Sequence, residues 1–241
     1  MDPLTSVAAS GLRARMESLD LLANNVANAS TGGYKADREF YSLYVSPEAQ
    51  ADPPSTMPVV ERPWIDLSQG VLQSTGKTLD LAISGKGFFA VAGPRGPLYT
   101  RAGDFHLAGG RLVTSEGYAV TGANGQPLRA LGSGAIDVSA DGTVQQDGNV
   151  IGQLQLVDFT AAALSKRGAS YFQLSDPSAQ PVPAAGATVE QGKLEGSNSG
   201  GAEGAVRLVG IMRQFEMLQK AVSLGNDMNK QAIEQVAKPG S

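Results

Sequence analysis

The sequence predicts an α+β fold. N- and C-terminal helices pair as a coiled-coil-like core domain, and an extended arm leads to a central all-β, hairpin-rich domain. Three observations carry this reading of the 241-residue chain. Apolar residues recur at helical spacing at both ends, residues 36–74 are dense in proline, and residues 75–195 alternate short apolar runs with glycine-containing turn signals. The expected division is an N-terminal helix and turn over 1–35, an arm over 36–74, a β domain over 75–195 and a C-terminal helix over 196–241.

The first helix opens with Asp2, a good N-cap, and Pro3, whose missing N–H costs nothing at the first helical position. Ala8, Leu12, Met16, Leu19, Leu22, Val26 and Ala29 follow in steps of three and four, which keeps them on one face. Val7, Gly11, Ala14 and Leu21 form a second row beside it. A helix of roughly 27 residues is about 40 Å long, and the only apolar helix able to cover it lies at the other end of the chain. Asn24, Asn25 and Asn28 sit where the helix stops, a place where asparagine sets register or caps the last turn. Ser30, Thr31, Gly33, Tyr34 and Lys35 form the turn that follows.

Pro47, Pro53, Pro54, Pro58 and Pro63 forbid a continuous helix and favour extended backbone in the arm. Its apolar residues Phe40, Tyr41, Tyr44, Trp64, Ile65 and Leu67 require a surface to pack on. Beyond it, LDLAIS, GFFAVA, PLYTRAG, FHLA, RLVT, YAVTG, AIDVS, TVQQ, VIGQLQLVDF and YFQLS read as strands. Asn124-Gly125, Asp141-Gly142 and Asp147-Gly148 supply the positive φ that tight hairpins need. A short helical turn is expected at Thr160–Leu164. Residues 175–187 lead out of the body, and TVEQGKLEGSNSGGAEG returns the chain towards its starting end.

The last helix is expected over Ala205–Ala237. Leu208, Ile211, Phe215, Leu218, Val222 and Gly225 form its seam, Met228, Ala232 and Val236 a weaker continuation, and Pro239 and Gly240 the stop. Gly200, Gly201 and Gly204 predict a frayed start. Two helices alone bury too little to offset an ordering entropy of about 1 to 2 kcal/mol per residue. Other copies or sister proteins are expected to cover the remaining apolar surface.

Composition narrows the function classes. Charged residues are 17% of the chain, below the usual fraction of about 25%, which suits a protein that buries surface against others. A net charge of −4 without a basic block argues against a nucleic-acid partner. There are no cysteines, hence no thiolate chemistry or cysteine-ligated zinc. No apolar run approaches a membrane span, and no basic segment followed by an apolar core marks a cleaved signal, so neither membrane insertion nor signal cleavage is expected.

Each possible chemical site has a plainer explanation. His106 is the only histidine and reads as a surface or edge-strand residue. GxSxG is absent, and GKGFF at Gly85–Phe89 lacks the remainder of a phosphate-binding motif. Asp137, Ser139, Asp141 and Gly142 imitate half of a calcium loop, but the twelfth position is Gly148, which favours a hairpin. No catalytic residue, cofactor, metal or small-molecule substrate is expected. Two alternatives to an assembly subunit are an enzyme using Asp104, His106 or Asp158, and a β-rich surface adhesin with a helical stalk.

The run LDLLANNVANASTGGYK, Leu19–Lys35, resembles the N-terminal signature of the flagellar basal-body rod and hook proteins. LDLAISGKGFFAV, LYTRAGDFHL and LVTSEGYAV resemble the central β domain of that family, and VEQGKLEGSNSGGAEGAVRLVGIMRQFEMLQKAV resembles its C-terminal region. Length and the RQFEM of Arg213–Met217 look most like the proximal rod branch, with the distal rod branch as runner-up. Gly32 stands where Pro or Thr is common in the family. The resemblance implies a non-enzymatic structural subunit, passed unfolded through the flagellar type III export apparatus and assembled in the periplasmic rod. Its partners would be further copies and sister rod proteins, and its role torque transmission. The implied assembly interface is Leu12, Met16, Leu19, Leu22, Asn25, Val26, Asn28, Leu208, Ile211, Phe215, Leu218 and Val222.

Overall fold

Pro3 starts a helix, α1, that runs to Ala27 through residues with no internal proline, and Gly201 starts a second, α2, that runs to Ala237. The computed structural model describes residues 3–45, 56–132, 134–176 and 179–237. The Asp2 cap, Pro47, Pro53, Pro54, Pro177 and the stop at Pro239 and Gly240 lie outside them. So do the side chains of Val7, Ala8, Phe40, Tyr41, Tyr44, Pro58, Ala232 and Val236.

The chain forms two units. The first holds residues 1–26, 37–64 and 201–241, the second residues 27–36 and 65–200. In the first unit β1 (Asp37–Val45) and β2 (Thr56–Ile65) make a two-stranded sheet within the segment expected as an arm. Among the described side chains of α1 the most buried are Ala14, Ser18, Leu22 and Asn25, spaced four, four and three. Three of these lie outside the primary apolar stripe, whose Met16 is 55% exposed. On α2 Ile211 is buried and Leu208, Phe215, Leu218 and Val222 are half-buried, so the seam faces inward.

The start of α2 corrects the sequence reading. The helix is continuous from Gly201 and does not wait for Ala205. Gly204 is a point of close approach: a Cβ there would fall 2.8 Å from Val26 Cγ2 and 3.9 Å from Leu22 Cδ1. Packing of the two helices at this glycine offsets a propensity deficit of about 1 kcal/mol relative to alanine.

The second unit is β-rich, which makes the whole an α+β protein with a β middle. Its strands are β3 (Leu72–Ser74), β4 (Leu81–Ser84), β5 (Phe88–Gly93), β6 (Gly96–Thr100), β7 (His106–Ala108), β8 (Arg111–Val113), β9 (Ala119–Val120), β10 (Ile136–Val138), β11 (Thr143–Gln146), β12 (Asn149–Gln153) and β13 (Leu156–Asp158), then β14 (Leu164–Arg167), β15 (Tyr171–Leu174), β16 (Val182–Pro183), β17 (Thr188–Gln191) and β18 (Lys193–Glu195). The main antiparallel sheet runs β14-β15-β6-β5-β9-β8-β7, with β13 joining β5 to β16. A short 3-10 turn at Ala161–Ala163 occupies the place of the expected helical turn.

β5 explains why GFFAVA reads as a continuous apolar run. Side chains alternate across a strand. Phe89 and Val91 enter one core with Leu81, Leu98 and Leu112, while Phe88 and Ala90 enter another with Tyr99, Val157 and Phe172. Edge-to-face pairs at 5.2 Å (Phe89 with Phe105) and 5.3 Å (Phe88 with Phe172) secure the two sides. Between β11 and β12, Asp147 (φ 50°) and Gly148 (φ 80°) make the type I′ turn that the Asp-Gly pair predicts.

Candidate functional site: helix faces and a buried ion cluster

In the first unit, Asn25 turns its amide onto the backbone of Asp37. Nδ2 donates to the Asp37 carbonyl at 2.7 Å and Oδ1 accepts the Asp37 N–H at 3.0 Å. One asparagine thereby satisfies both backbone polar groups of a strand's first residue. Leu22 is buried with it, and Leu12, Leu19, Val26 and Asn28 are half-buried. The outer side of α2 is also apolar: Val206, Met217, Leu224 and Met228 are each more than 60% exposed, roughly opposite the seam.

The second unit takes in the turn after α1. Ser30 is exposed and Thr31 half-buried, whereas Gly33, Tyr34 and Lys35 are buried. Lys35 Nζ donates to Glu195 Oε1 at 2.5 Å and to the Ser68 carbonyl at 2.6 Å. Arg101 NH1 donates to Glu195 Oε2 at 3.0 Å, and Gly70 N–H to Oε1 at 2.8 Å. The Arg101 fork also reaches the Ile83 and Gly85 carbonyls, and its guanidinium lies 5.3 Å from the Phe88 ring centroid. Its Nε alone has no partner. Burial pulls the Lys35 ammonium below its usual pKa, a cost that the Glu195 charge and hydrogen bond oppose.

Asn198 completes the arrangement. Its Oδ1 accepts the Ala36 N–H at 2.7 Å, its Nδ2 donates to the Asp66 and Ser68 carbonyls, and its own N–H reaches the Tyr34 carbonyl. Gly33 N–H donates to the Glu195 carbonyl at 2.7 Å. Lys166 Nζ sits 4.4 Å over the Tyr34 ring. Glu195, Arg101 and Asn198 are absent from the site read in the sequence, because no spacing links positions 35, 101 and 195. The only available signal was a lysine set among small residues directly after a helix.

Two of the residues weighed for chemistry, His106 and Asp158, lie on strands that do not pair with each other. His106 is exposed on β7, which pairs with β8, whereas Asp158 lies on β13, which pairs with β5 and β16. Asp141 spends its carboxylate on its own turn, accepting the Thr143 hydroxyl at 2.7 Å and the Thr143 N–H at 3.1 Å. Those bonds hold its carboxyl below the usual range. Among the described residues no group of three or more His, Cys, Asp or Glu could hold a metal, and no helix is long and apolar enough to cross a membrane.

Apolar helices at both chain ends, with the turn after α1 built into a β-rich body, define a structural assembly subunit. Comparison with known proteins agrees. Residues 6–35 match the family model for the flagella basal body rod protein, residues 82–151 the FlgE/F/G D1 domain of the flagellar hook protein, and residues 190–235 the C-terminal region of the flagellar basal body rod FlgEFG proteins. Flagellar basal-body rod protein FlgF of Rhizobium meliloti is 34% identical over 218 residues, covering 87% of this chain and 88% of the relative. FlgF of Caulobacter vibrioides is 32% identical, covering 99% of both chains, and the rod protein FlgG of Buchnera aphidicola is 30% identical, covering 95% and 97%. The chain belongs to the flagellar basal-body rod and hook protein family. It is a structural subunit of the flagellar rod and not an enzyme.

Proposed function

We propose that this chain is a proximal, FlgF-like rod subunit that polymerises through its two terminal helices. The observation that carries the assembly reading is the exposed apolar row Val206, Met217, Leu224 and Met228. Lone exposed apolar residues need no explanation, but a row along one helix face marks an interaction surface. Coiled-coil-like pairing of α1 and α2 along the Leu208–Val222 seam is supported by their approach at Gly204. The interface comprises Leu12, Met16, Leu19, Leu22, Asn25, Val26, Asn28 and the seam residues, and the remaining apolar faces are covered by copies of this chain or sister rod proteins. Heterologous contacts of this kind extend into a filament without closing.

In this reading the subunit reaches the periplasmic rod through the type III export apparatus and transmits torque by helix packing. A 34% identity to one FlgF, against 29 to 32% to the FlgG relatives, supports the proximal over the distal, FlgG-like position. Electron microscopy of basal bodies from a strain lacking the gene tests that choice. Rods that stop proximally are expected, while rods halted only at the distal segment assign the FlgG-like role. Leu19→Asp or Val26→Asp should block incorporation with the β body still folded, and unchanged incorporation would refute the interface.

A further inference from the structure

We propose that Glu39 is a register pin, a carboxylate on β1 that fixes the stagger of α1 against α2 and thereby selects the assembly-competent pairing. The inference rests on the reading that the terminal helices pair. Apolar faces repeating every three or four residues can slip by one turn, about 5.4 Å, and still bury similar side chains. Hydrophobic burial is non-directional and does not choose between such states. A buried directional group does.

Glu39 has the required geometry. Its side chain is only 6% exposed, and each carboxylate oxygen is given to a different helix. From α1 the fully buried Ser18 hydroxyl donates to Oε2. From α2 Arg207 NH2 donates to Oε1 at 3.2 Å. The strand is itself tied to α1 by the Asn25 clip on Asp37.

The residues one turn away penalise a slip. Along the buried row of α1, Ser18 is flanked by Ala14 and Leu22, neither of which has a side-chain donor. On α2, Arg207 is flanked at four residues by Glu203 and Ile211. A shift in one direction sets a second carboxylate against Glu39, and a shift in the other replaces the cation with an aliphatic chain. Either takes a specific partner away from a buried carboxylate, and such losses are costly. The pin thus acts more by excluding wrong pairings than by strengthening the right one.

Absence of cysteine makes crosslinking a clean test in the full-length protein. In a Val26→Cys/Gly204→Cys variant the two Cβ atoms fall within the span of a disulfide, because a Cβ on residue 204 lies 2.8 Å from an atom one bond beyond the residue 26 Cβ. With Glu39 intact, oxidation should give an intramolecular bond. Glu39→Leu should lower its rate about tenfold or more. Glu39→Gln should retain it, since the amide accepts from Arg207 and donates to the Ser18 hydroxyl. Arg207→Glu, a change at a half-exposed position that leaves no buried hole, should also lower it, and swimming should follow the same order across the variants. An unchanged crosslinking rate in Glu39→Leu and Arg207→Glu would overturn the pin with pairing intact. No crosslink with Glu39 present would overturn the pairing itself.

Discussion

Lys35 Nζ lies 2.5 Å from Glu195 Oε1, across 160 residues of chain, with both side chains fully buried. The pair joins the turn that follows α1 to the last strand before α2, and Arg101 from the end of β6 completes it from a third direction. Two cations converge on one carboxylate, so the members are not equivalent. Glu195→Ala removes the carboxylate that both cations share and should cost about 3 to 5 kcal/mol. Lys35→Met leaves Arg101 and the Gly70 N–H on Glu195, and it removes a charge whose burial is already unfavourable. Its cost should be smaller, about 1 to 3 kcal/mol. Urea unfolding followed by far-UV circular dichroism measures the difference, and equal costs would contradict the asymmetry.

Gly32 and Gly33 are neighbours with opposite demands. Gly33 has φ 66°, and a Cβ there would sit 2.3 Å from the Ala102 nitrogen. Gly33→Ala should therefore destabilise by about 3 kcal/mol or more, combining left-handed strain with a clash against backbone that cannot swing aside. At Gly32 the nearest atom to an added Cβ is the Glu195 carbonyl oxygen, at 3.7 Å, an ordinary contact. Gly32→Ala should be neutral or stabilise by about 0.4 to 1 kcal/mol through the unfolded chain. This accounts physically for other residues being usable at that position, and thermal melts of the two variants check it.

The β body was the most legible part of the sequence, because its signals are local. Asp147-Gly148 carries its turn type in two residues, and the unbroken GFFAVA run of β5 reports burial on both faces. Helix existence was equally legible from spacing. What escaped were relations between distant positions. The Lys35 cluster depends on three segments meeting, and the glycines before Ala205 signal fraying unless Val26 is known to lie against Gly204. On α1, apolar spacing points to the Met16 stripe, but among the described side chains the most deeply buried face contains Ser18 and Asn25. Hydrogen bonds to Glu39 and Asp37 satisfy those polar groups, and hydropathy does not encode such partners.

Gly204 and Gly210 separate packing from propensity on α2. Gly204→Leu forces its side chain into the space of Val26 Cγ2, 2.8 Å from the added Cβ. It should weaken helix pairing, reducing the mean helical signal and incorporation while leaving the β-body transition in place. At Gly210 an added Cβ meets nothing within 4 Å. Gly210→Ala should raise helix stability by about 0.5 to 1 kcal/mol. Far-UV circular dichroism distinguishes the two, and a gain of helix in both would show that propensity alone limits α2.

Tyr171 gives the β body an alkaline limit. Burial pushes its phenol up from 10.0 to about 12, opposed by a hydrogen bond with Thr114, while its ring packs edge-to-face on Tyr118 at 5.3 Å. The unfolded chain would release this proton near pH 10, while the native state still holds it. Between those values the native state binds more protons, so stability falls as pH rises. The contribution is fully present below about pH 10 and is lost progressively towards about pH 12, an effect on the order of 2 kcal/mol. Tyr171→Phe cannot ionise and should flatten that part of the profile, although it gives up the Thr114 bond at neutral pH. Urea midpoints measured from pH 8 to pH 12 would show the wild-type curve descending towards the variant's. Parallel curves would mean that another group sets the limit.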